Sequence, residues 1–221
     1  MNIAAFETST EWCGAALWLD GEIRAIEQRA ANRHGELVLP MMERLLARAG
    51  LAPKDLDAVA FGAGPGAFTG LRIACGVAQG LALARGLPVL GVSTLEAIAE
   101  ESGAPRALAC LDARMHEVYY AAFEKGGGGW REVVAPRCAA PQAVKKPDAR
   151  EWVGCGSGFS IFPEMLKNEI PVRPEIHPSA AAVARLAAPR LARGEGVDAA
   201  LAAPVYVRDK VAFTKTELEA R

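Results

Sequence analysis

The sequence lacks the long apolar runs and the excess of one charge that mark several classes of protein. No stretch comes near the about 18 consecutive apolar residues of a membrane-spanning helix, and the N-terminus has no basic segment of a signal peptide. The 25 basic and 26 acidic residues give a net charge of −1, which is not the strongly basic balance of a chain that binds nucleic acid by itself. We therefore expect a cytoplasmic protein that does not contact a membrane.

Cysteine and histidine are too few and too scattered to form a disulfide framework or a metal site. The five cysteines include no Cys-x-x-Cys pair, and the three histidines, His34, His116 and His177, lie far apart. The sequence therefore predicts reduced thiols and no metal site.

Apolar residues, in contrast, make up 51% of the chain, and their pattern repeats one plan twice. In each half, three strand-like runs with a hairpin turn precede alternating helices and strands. The first run of each half ends in an acid, Glu7 and Asp112, and each acid lies 14 residues before a turn glycine, Gly21 and Gly126. The element order β-β-β-α-β-α-β-α is thus predicted to occur twice.

A mixed β-sheet flanked by helices and built twice is the plan of the actin-like ATPase (ASKHA) fold, an α/β fold with two lobes. We predict an N-terminal lobe over residues 1–104 and a smaller C-terminal lobe with a tail over 105–221, with the linker at 102–105. A single doubly wound domain with an appendage is the alternative. The two hairpin starts favour the duplication.

The segment 62–72, with the sequence GAGPGAFTGLR, is the sharpest local feature. Closely spaced glycines before a helix let backbone amides approach an anion, although neither the Walker A ending nor the dinucleotide spacing is present. We expect a positive φ at Gly66. For this segment, the alternative to an anion site is a tight turn in which Thr69 caps the helix. For Asp112, the acid of the second half, the alternative is that the nearby Arg114 and Glu117 form an ion pair with each other. The candidates for a vestigial phosphate site are Glu7, Thr8, Ser9, Thr10, Gly64, Gly66 and Asp112.

Two predicted helices, 34–49 and 69–85, carry more apolar and small residues than one core face requires. Such a surplus is typical of a surface that binds another protein, and methionines suit an adaptable surface. Alternatively, the small residues serve close packing on the chain's own sheet. The candidate residues of a partner interface are Leu37, Val38, Met41, Met42, Leu45, Gly70, Ala74, Ala78 and Ala82.

Over nearly its whole length the sequence resembles the TsaB (YeaZ) family of bacterial tRNA threonylcarbamoyladenosine biosynthesis. The most specific part is GPGAFTGLR at 64–72 followed by GVSTL at 91–95. The resemblance implies an actin-like fold and the role of a non-catalytic scaffold or activating subunit, a pseudo-enzyme. The other matching segments are 7–10, 34–41, 112–114, 154–156 and 204–208.

The resemblance also implies a set of partners. These are a TsaD-like catalytic subunit, a TsaE-like ATPase, a second copy of the chain when it is alone, and tRNA through the complex. That complex transfers a threonylcarbamoyl group to the adenosine beside the anticodon of tRNAs reading codons that begin with A. The resemblance implies no firmly bound cofactor, and it limits ATP or ADP to the partner complex.

In the catalytic relative, two metal-binding histidines fall at the positions of Thr94 and Ile98. Since neither residue can supply an imidazole, the resemblance implies that this chain has no catalytic residue and no metal. The alternative is an actin-like ATP-binding enzyme or a metallopeptidase-like protein that acts on its own.

Overall fold

A computed structural model describes residues 1–147, 151–166 and 169–208 of the protein. It contains two five-stranded mixed sheets with helices packed against them. The strands of the first sheet are β1 (Asn2–Glu7), β2 (Trp12–Leu19), β3 (Glu22–Arg29), β4 (Ala58–Gly64) and β5 (Val89–Ser93). Those of the second are β6 (Arg106–Arg114), β7 (Glu117–Gly126), β8 (Gly129–Ala139), β9 (Val153–Cys155) and β10 (Val172–Arg173). The α-helices are α1 (His34–Ala49), α2 (Phe68–Leu83), α3 (Thr94–Ser102), α4 (Gly158–Ile161) and α5 (Ala180–Ala192), and short 3₁₀ helices occupy Pro53–Asp55, Pro141–Ala143 and Ala199–Leu201.

The two sheets have the same topology. The first has the strand order β3-β2-β1-β4-β5, and the second has β10-β9-β6-β7-β8, which is the same arrangement read from the other edge. In each, the first strand pairs antiparallel with the hairpin that follows it and parallel with the next strand along the chain. The predicted duplication and the actin-like fold are confirmed.

Local sequence explains the strands that build the centre of the first sheet. Every residue of β4 and all but the first of β1 are buried, because helices cover both faces of these parallel strands. The β2–β3 hairpin turns at Asp20 and Gly21, which have φ angles of 47° and 105°. Two positive φ angles in succession are the geometry of the tight turn that matches strand twist.

The helices do not follow the predicted boundary at residue 104. On one face of the first sheet lie α1 and α2, but its other face is covered by α5, which comes after the second sheet in the chain. Conversely, α3 precedes the second sheet in the chain and packs on that sheet. The small side chains of α5 allow a close approach to Ala5, Ala16 and Ala60. The division into 1–104 and 105–221 therefore separates the strands and not the packing units.

Some predicted helix limits need correction. The N-terminal residue of α2 is Phe68, and the residue before it, Ala67, makes no side-chain cap, so Thr69 does not cap this helix. A cap does precede α5, where the Ser179 hydroxyl accepts a hydrogen bond from Ala182 N at 2.9 Å.

The second lobe has shorter helices than the first. The helix predicted near 160–169 is the four-residue α4, and the one near 141–146 is a 3₁₀ turn; positions 167–168 of the former, and the tail from 209 onward, lie outside the described residues. No helix within those residues has the length and apolar character to cross a membrane.

Candidate functional site

The glycine turn between β4 and α2 is packed against the turn that follows β1. Ala67 N donates a hydrogen bond to Ser9 O at 2.7 Å. A Cβ atom added at Gly66 would lie 2.6 Å from the same Ser9 oxygen, and one at Gly70 would overlap the carbonyl oxygen of Thr8. These glycines therefore allow two backbone segments to touch.

Further hydrogen bonds hold the two segments together. The Thr8 hydroxyl donates to Gly70 O at 2.7 Å, in the first turn of α2. From the other side, Val205 N donates to Ala63 O at 2.7 Å. The structure brings Glu7, Thr8, Ser9, Gly64 and Gly66 together, and contacts within the chain use the Thr8 hydroxyl and the Ala67 amide.

The expected positive φ is found at a different glycine. Gly64 has a φ of 120°, whereas Gly66 is not among the residues with positive φ. At position 66, glycine is required because a side chain would collide with Ser9. At position 64, glycine is required both because there is no room for a side chain and because φ is positive.

Glu7 is buried at the end of β1, where its carboxylate lies against Gly62. Its Oε1 atom accepts a hydrogen bond from Ser9 N at 2.6 Å, and its Oε2 atom has no partner among the described residues. Burial away from water raises the pKa of Glu7, and the hydrogen bond from Ser9 opposes this only in part. Thr10, the last residue of the predicted set on this turn, accepts a hydrogen bond from Trp12 N at 3.2 Å.

Asp112, the equivalent acid of the second lobe, makes local contacts. Its Oδ1 atom accepts a hydrogen bond from Arg114 N at 2.8 Å, and the Arg114 guanidinium lies 3.1 Å from Oδ2. Glu117 pairs with Arg208 instead. The alternative Arg114–Glu117 pair is therefore wrong.

The positions that correspond to metal-binding histidines are both buried. Thr94 is the first residue of α3, and its hydroxyl has no hydrogen-bond partner among the described residues. Ile98 lies one turn later in the core that α3 forms with the second sheet. Within the described part of the chain, no group of three or more His, Cys, Asp or Glu side chains could hold a metal ion.

The predicted interface residues are mostly interior. Val38, Met41, Met42 and Leu45 of α1 are at most 2% exposed, because they pack on the first sheet. The small residues Gly70, Ala74, Ala78 and Ala82 of α2 are buried as well, and Leu37 is half-buried. Eight of the nine side chains therefore cannot form a contact surface, and the alternative of close packing on the chain's own sheet is the correct one.

Sequence patterns missed the segment 202–208, which crosses from the first lobe to the second. Val205 bonds to the glycine turn, and the Tyr206 hydroxyl accepts a hydrogen bond from Arg72 Nε at 3.2 Å. At its end, Arg208 pairs with Glu117 and lies over the Tyr119 ring. No periodicity marks such an extended segment. Only its place in the family resemblance singled it out.

A cleft of about 360 Å³ lies where the two lobes meet. Trp12 and His177 are stacked there with ring centroids 4.3 Å apart, and His177 Nε2 lies 2.7 Å from a Glu27 oxygen. The lining also includes Arg29 and Glu175. The cleft therefore carries side chains of both charges.

Comparison with known proteins agrees with this fold. The family model "TsaD: tRNA N6-adenosine threonylcarbamoyltransferase" matches residues 26–215. A protein of Escherichia coli (strain K12), named tRNA threonylcarbamoyladenosine biosynthesis protein TsaB, is 38% identical over 97% of this chain and 98% of its own length. The chain belongs to the TsaB family. The TsaB protein of Haemophilus influenzae is 32% identical over 97% of both chains.

Solved structures of this TsaB family have the same fold as the chain. YeaZ from Pseudomonas aeruginosa is 41% identical, covers 93% of this chain and 99% of its own, and has a TM-score of 0.88. A second structure from that organism, described as an uncharacterized protein with similarity to peptidase YEAZ, is 40% identical, covers 94% and 99%, and has a TM-score of 0.89. The predicted family and fold are confirmed over nearly the whole chain.

The buried carboxyl group of Glu7 predicts how the stability depends on pH. Because its pKa is raised in the folded state above the ordinary value of 4.5, the folded protein keeps a proton that the unfolded chain has lost. The free energy of unfolding therefore falls as the pH rises through the raised pKa. Glu7→Gln removes the cost of ionising this buried carboxyl group, so the variant should be more stable than the wild type at neutral pH. The gain should be about 1.4 kcal/mol for each unit by which folding raises the pKa of Glu7.

Urea unfolding of both proteins between pH 5 and 8 measures this effect. Glu43→Gln, which makes the same change at an exposed position of α1, should leave the profile unchanged. Equal slopes for Glu7→Gln and the wild type would contradict the assignment.

Proposed function

We propose that this chain is a non-catalytic subunit that binds and activates a TsaD-like protein in threonylcarbamoyl transfer to tRNA. The observation that carries the proposal is the closed glycine turn. Ser9 O and Thr8 O lie against Gly66 and Gly70, so this turn packs on the chain's own backbone. A chain that retains the fold of a transferase family, and whose glycine turn is packed on its own backbone, is suited to binding a partner.

The chemistry of the buried residues supports the same proposal. Thr94 and Ile98 offer one hydroxyl and no imidazole at the metal positions of the catalytic relative. The raised pKa of Glu7 disfavours the charged form that would hold magnesium. We propose that ATP or ADP is bound only in the complex with TsaD-like and TsaE-like partners.

The partner surface that we propose is the exposed side of α1 and α2. Leu39, Phe68 and Leu83 are 43%, 48% and 60% exposed. Gly76 and Gly80 of α2, one turn apart, face open space, because a Cβ atom at either would meet nothing within 4 Å. We call Leu39, Phe68, Gly76, Gly80 and Leu83 the ridge, and its two glycines allow another helix to approach closely.

Two partners compete for this ridge in our proposal. A TsaD-like subunit shares the family of this chain, so its equivalent helices can replace those of a second copy of the chain. The chain alone then forms a homodimer with the symmetric contact typical of such pairs. The predicted cytoplasmic location, where tRNA is modified, stays a prediction.

Reconstitution of tRNA modification from the separate subunits tests the proposal. Omission of this chain should reduce modification by the TsaD-like and TsaE-like proteins to near background. Gly80→Glu should have the same effect, since a charge on the ridge would be buried without a counter-ion. Thermal unfolding should show a folded Gly80→Glu monomer, and light scattering should show loss of the homodimer.

The isolated chain serves as the control for the alternative functions. It should show no ATP turnover, no transferase activity and no peptidase activity with metal supplied. Turnover that disappears in Glu7→Ala or Asp112→Ala would identify an enzyme and would refute the proposal. Wild-type modification in the absence of the chain would refute it as well.

A further inference from the structure

The second lobe has a groove whose lining includes no residue of the proposed partner surface. Its volume is about 360 Å³, and it lies between the edge strand β8 and the segment that follows it. We call it the basic groove and define it by Tyr120, Val134, Arg137, Lys145 and Lys146. Because α1 and α2 pack on the other sheet, an occupant of this groove does not displace a partner from those helices.

The charge of the basic groove is entirely positive among the residues that line it. Arg137, Lys145 and Lys146 contribute three cations, and no carboxylate is among the lining residues. Within the described part of the chain, none of the three forms an ion pair, whereas Arg131 on the same strand pairs with Glu124. Four basic residues and one acidic residue lie between positions 129 and 147, in a chain whose net charge is −1.

A bulge in β8 lies next to Arg137, the one of the three cations that this strand carries. The register with β7 shifts between the pairs Tyr120↔Arg137 and Ala122↔Val134, so that β8 carries an extra residue there. Such a bulge re-aims side chains and occurs often beside binding sites. The Arg137 guanidinium lies 6.0 Å from the centre of the Tyr120 ring, an arrangement that favours a fixed cation.

These observations favour one class of ligand. Three cations that form no ion pair with a described residue, next to Tyr120 and Val134, would repel metal ions and bind neighbouring phosphates of a polyanion. We infer that the basic groove holds a stretch of RNA phosphate backbone, namely that of the tRNA substrate of the complex. The inference rests on the proposed function. The groove contributes affinity without reading sequence, since phosphate contacts position the nucleic acid and carry no base information.

The test measures tRNA binding by the complex of the full chain with its TsaD-like and TsaE-like partners. The triple variant Arg137→Gln, Lys145→Ala, Lys146→Ala should weaken binding of an unmodified tRNA transcript about tenfold, and should lower the slope of log affinity against log salt by about 2. In reconstituted modification, the KM for tRNA should rise while the kcat at saturating tRNA stays close to that of the wild type.

A matched pair of single variants separates a local effect from a general change in charge. Lys145→Glu changes an exposed lysine in the groove, and Lys54→Glu changes an exposed lysine in the 3₁₀ helix of the first lobe. Only Lys145→Glu should weaken tRNA binding by more than the small effect of net charge. Equal losses in both variants would overturn the inference.

Further outcomes distinguish other ligands and other failures. Displacement of tRNA by inorganic phosphate or ATP, beyond the effect of equal ionic strength, would assign the groove to small anions and overturn the inference. Loss of TsaD-like binding in the triple variant would assign it to a protein contact, with the same consequence. If the triple variant binds tRNA as the wild type does, and modification still requires this chain, only the inference about the groove is refuted. If modification proceeds without this chain, the proposed function is refuted.

Discussion

Gly70→Ala should lower the free energy of unfolding by about 3 kcal/mol or more, although it adds only one methyl group. That methyl group would overlap the carbonyl oxygen of Thr8, which belongs to the backbone and cannot rotate away. The turn after β1 and the first turn of α2 would have to separate, and the hydrogen bond from the Thr8 hydroxyl to Gly70 O would be lost. The midpoint of thermal unfolding should fall by roughly 6–12 °C.

The same helix provides the matched control. Gly76 is an exposed glycine inside α2 where a Cβ atom meets nothing within 4 Å. Gly76→Ala should therefore raise the stability by about 0.5–1 kcal/mol, because alanine loses less backbone entropy in a helix. A Gly70→Ala protein as stable as the wild type would show that the two segments do not touch as closely as described.

Ala78→Glu should prevent stable folding. Ala78 is fully buried where α2 packs on the first sheet, within the same core as Phe6 and Phe61. A glutamate there is too large for the site, and its carboxylate would lose solvation without gaining a counter-ion. We expect a loss of about 4 kcal/mol or more, a large part of the stability of an average domain.

Expression in soluble form, far-UV circular dichroism and urea unfolding measure the effect of Ala78→Glu. Gly80→Glu, two residues later on the exposed side of α2, introduces the same side chain and should leave the monomer folded. The pair therefore separates a contact inside the monomer from a contact with a partner. A folded Ala78→Glu monomer would contradict the burial of this face.

Local sequence determined a large part of this protein. The repeated order of strands and helices follows from the spacing of apolar residues and from turn residues such as Asp20-Gly21, and the structure has the same order in both lobes. The unusual character of the glycine turn was also visible, whereas Thr94 and Ile98 were singled out only by the family resemblance. These properties depend on residues close together in the chain, whose backbone preferences act wherever the segment is placed.

Only the tertiary structure decided which surfaces are covered and which groups are paired. The stripe of Met41, Met42 and Leu45 is equally compatible with a partner and with the chain's own sheet, and it is the sheet that covers it. The return of α5 to the first lobe, and the contact of Val205 with Ala63, join residues more than 100 positions apart. A periodic pattern shows that a face must be buried. What buries it depends on segments that are distant in sequence and meet only when the whole chain has folded.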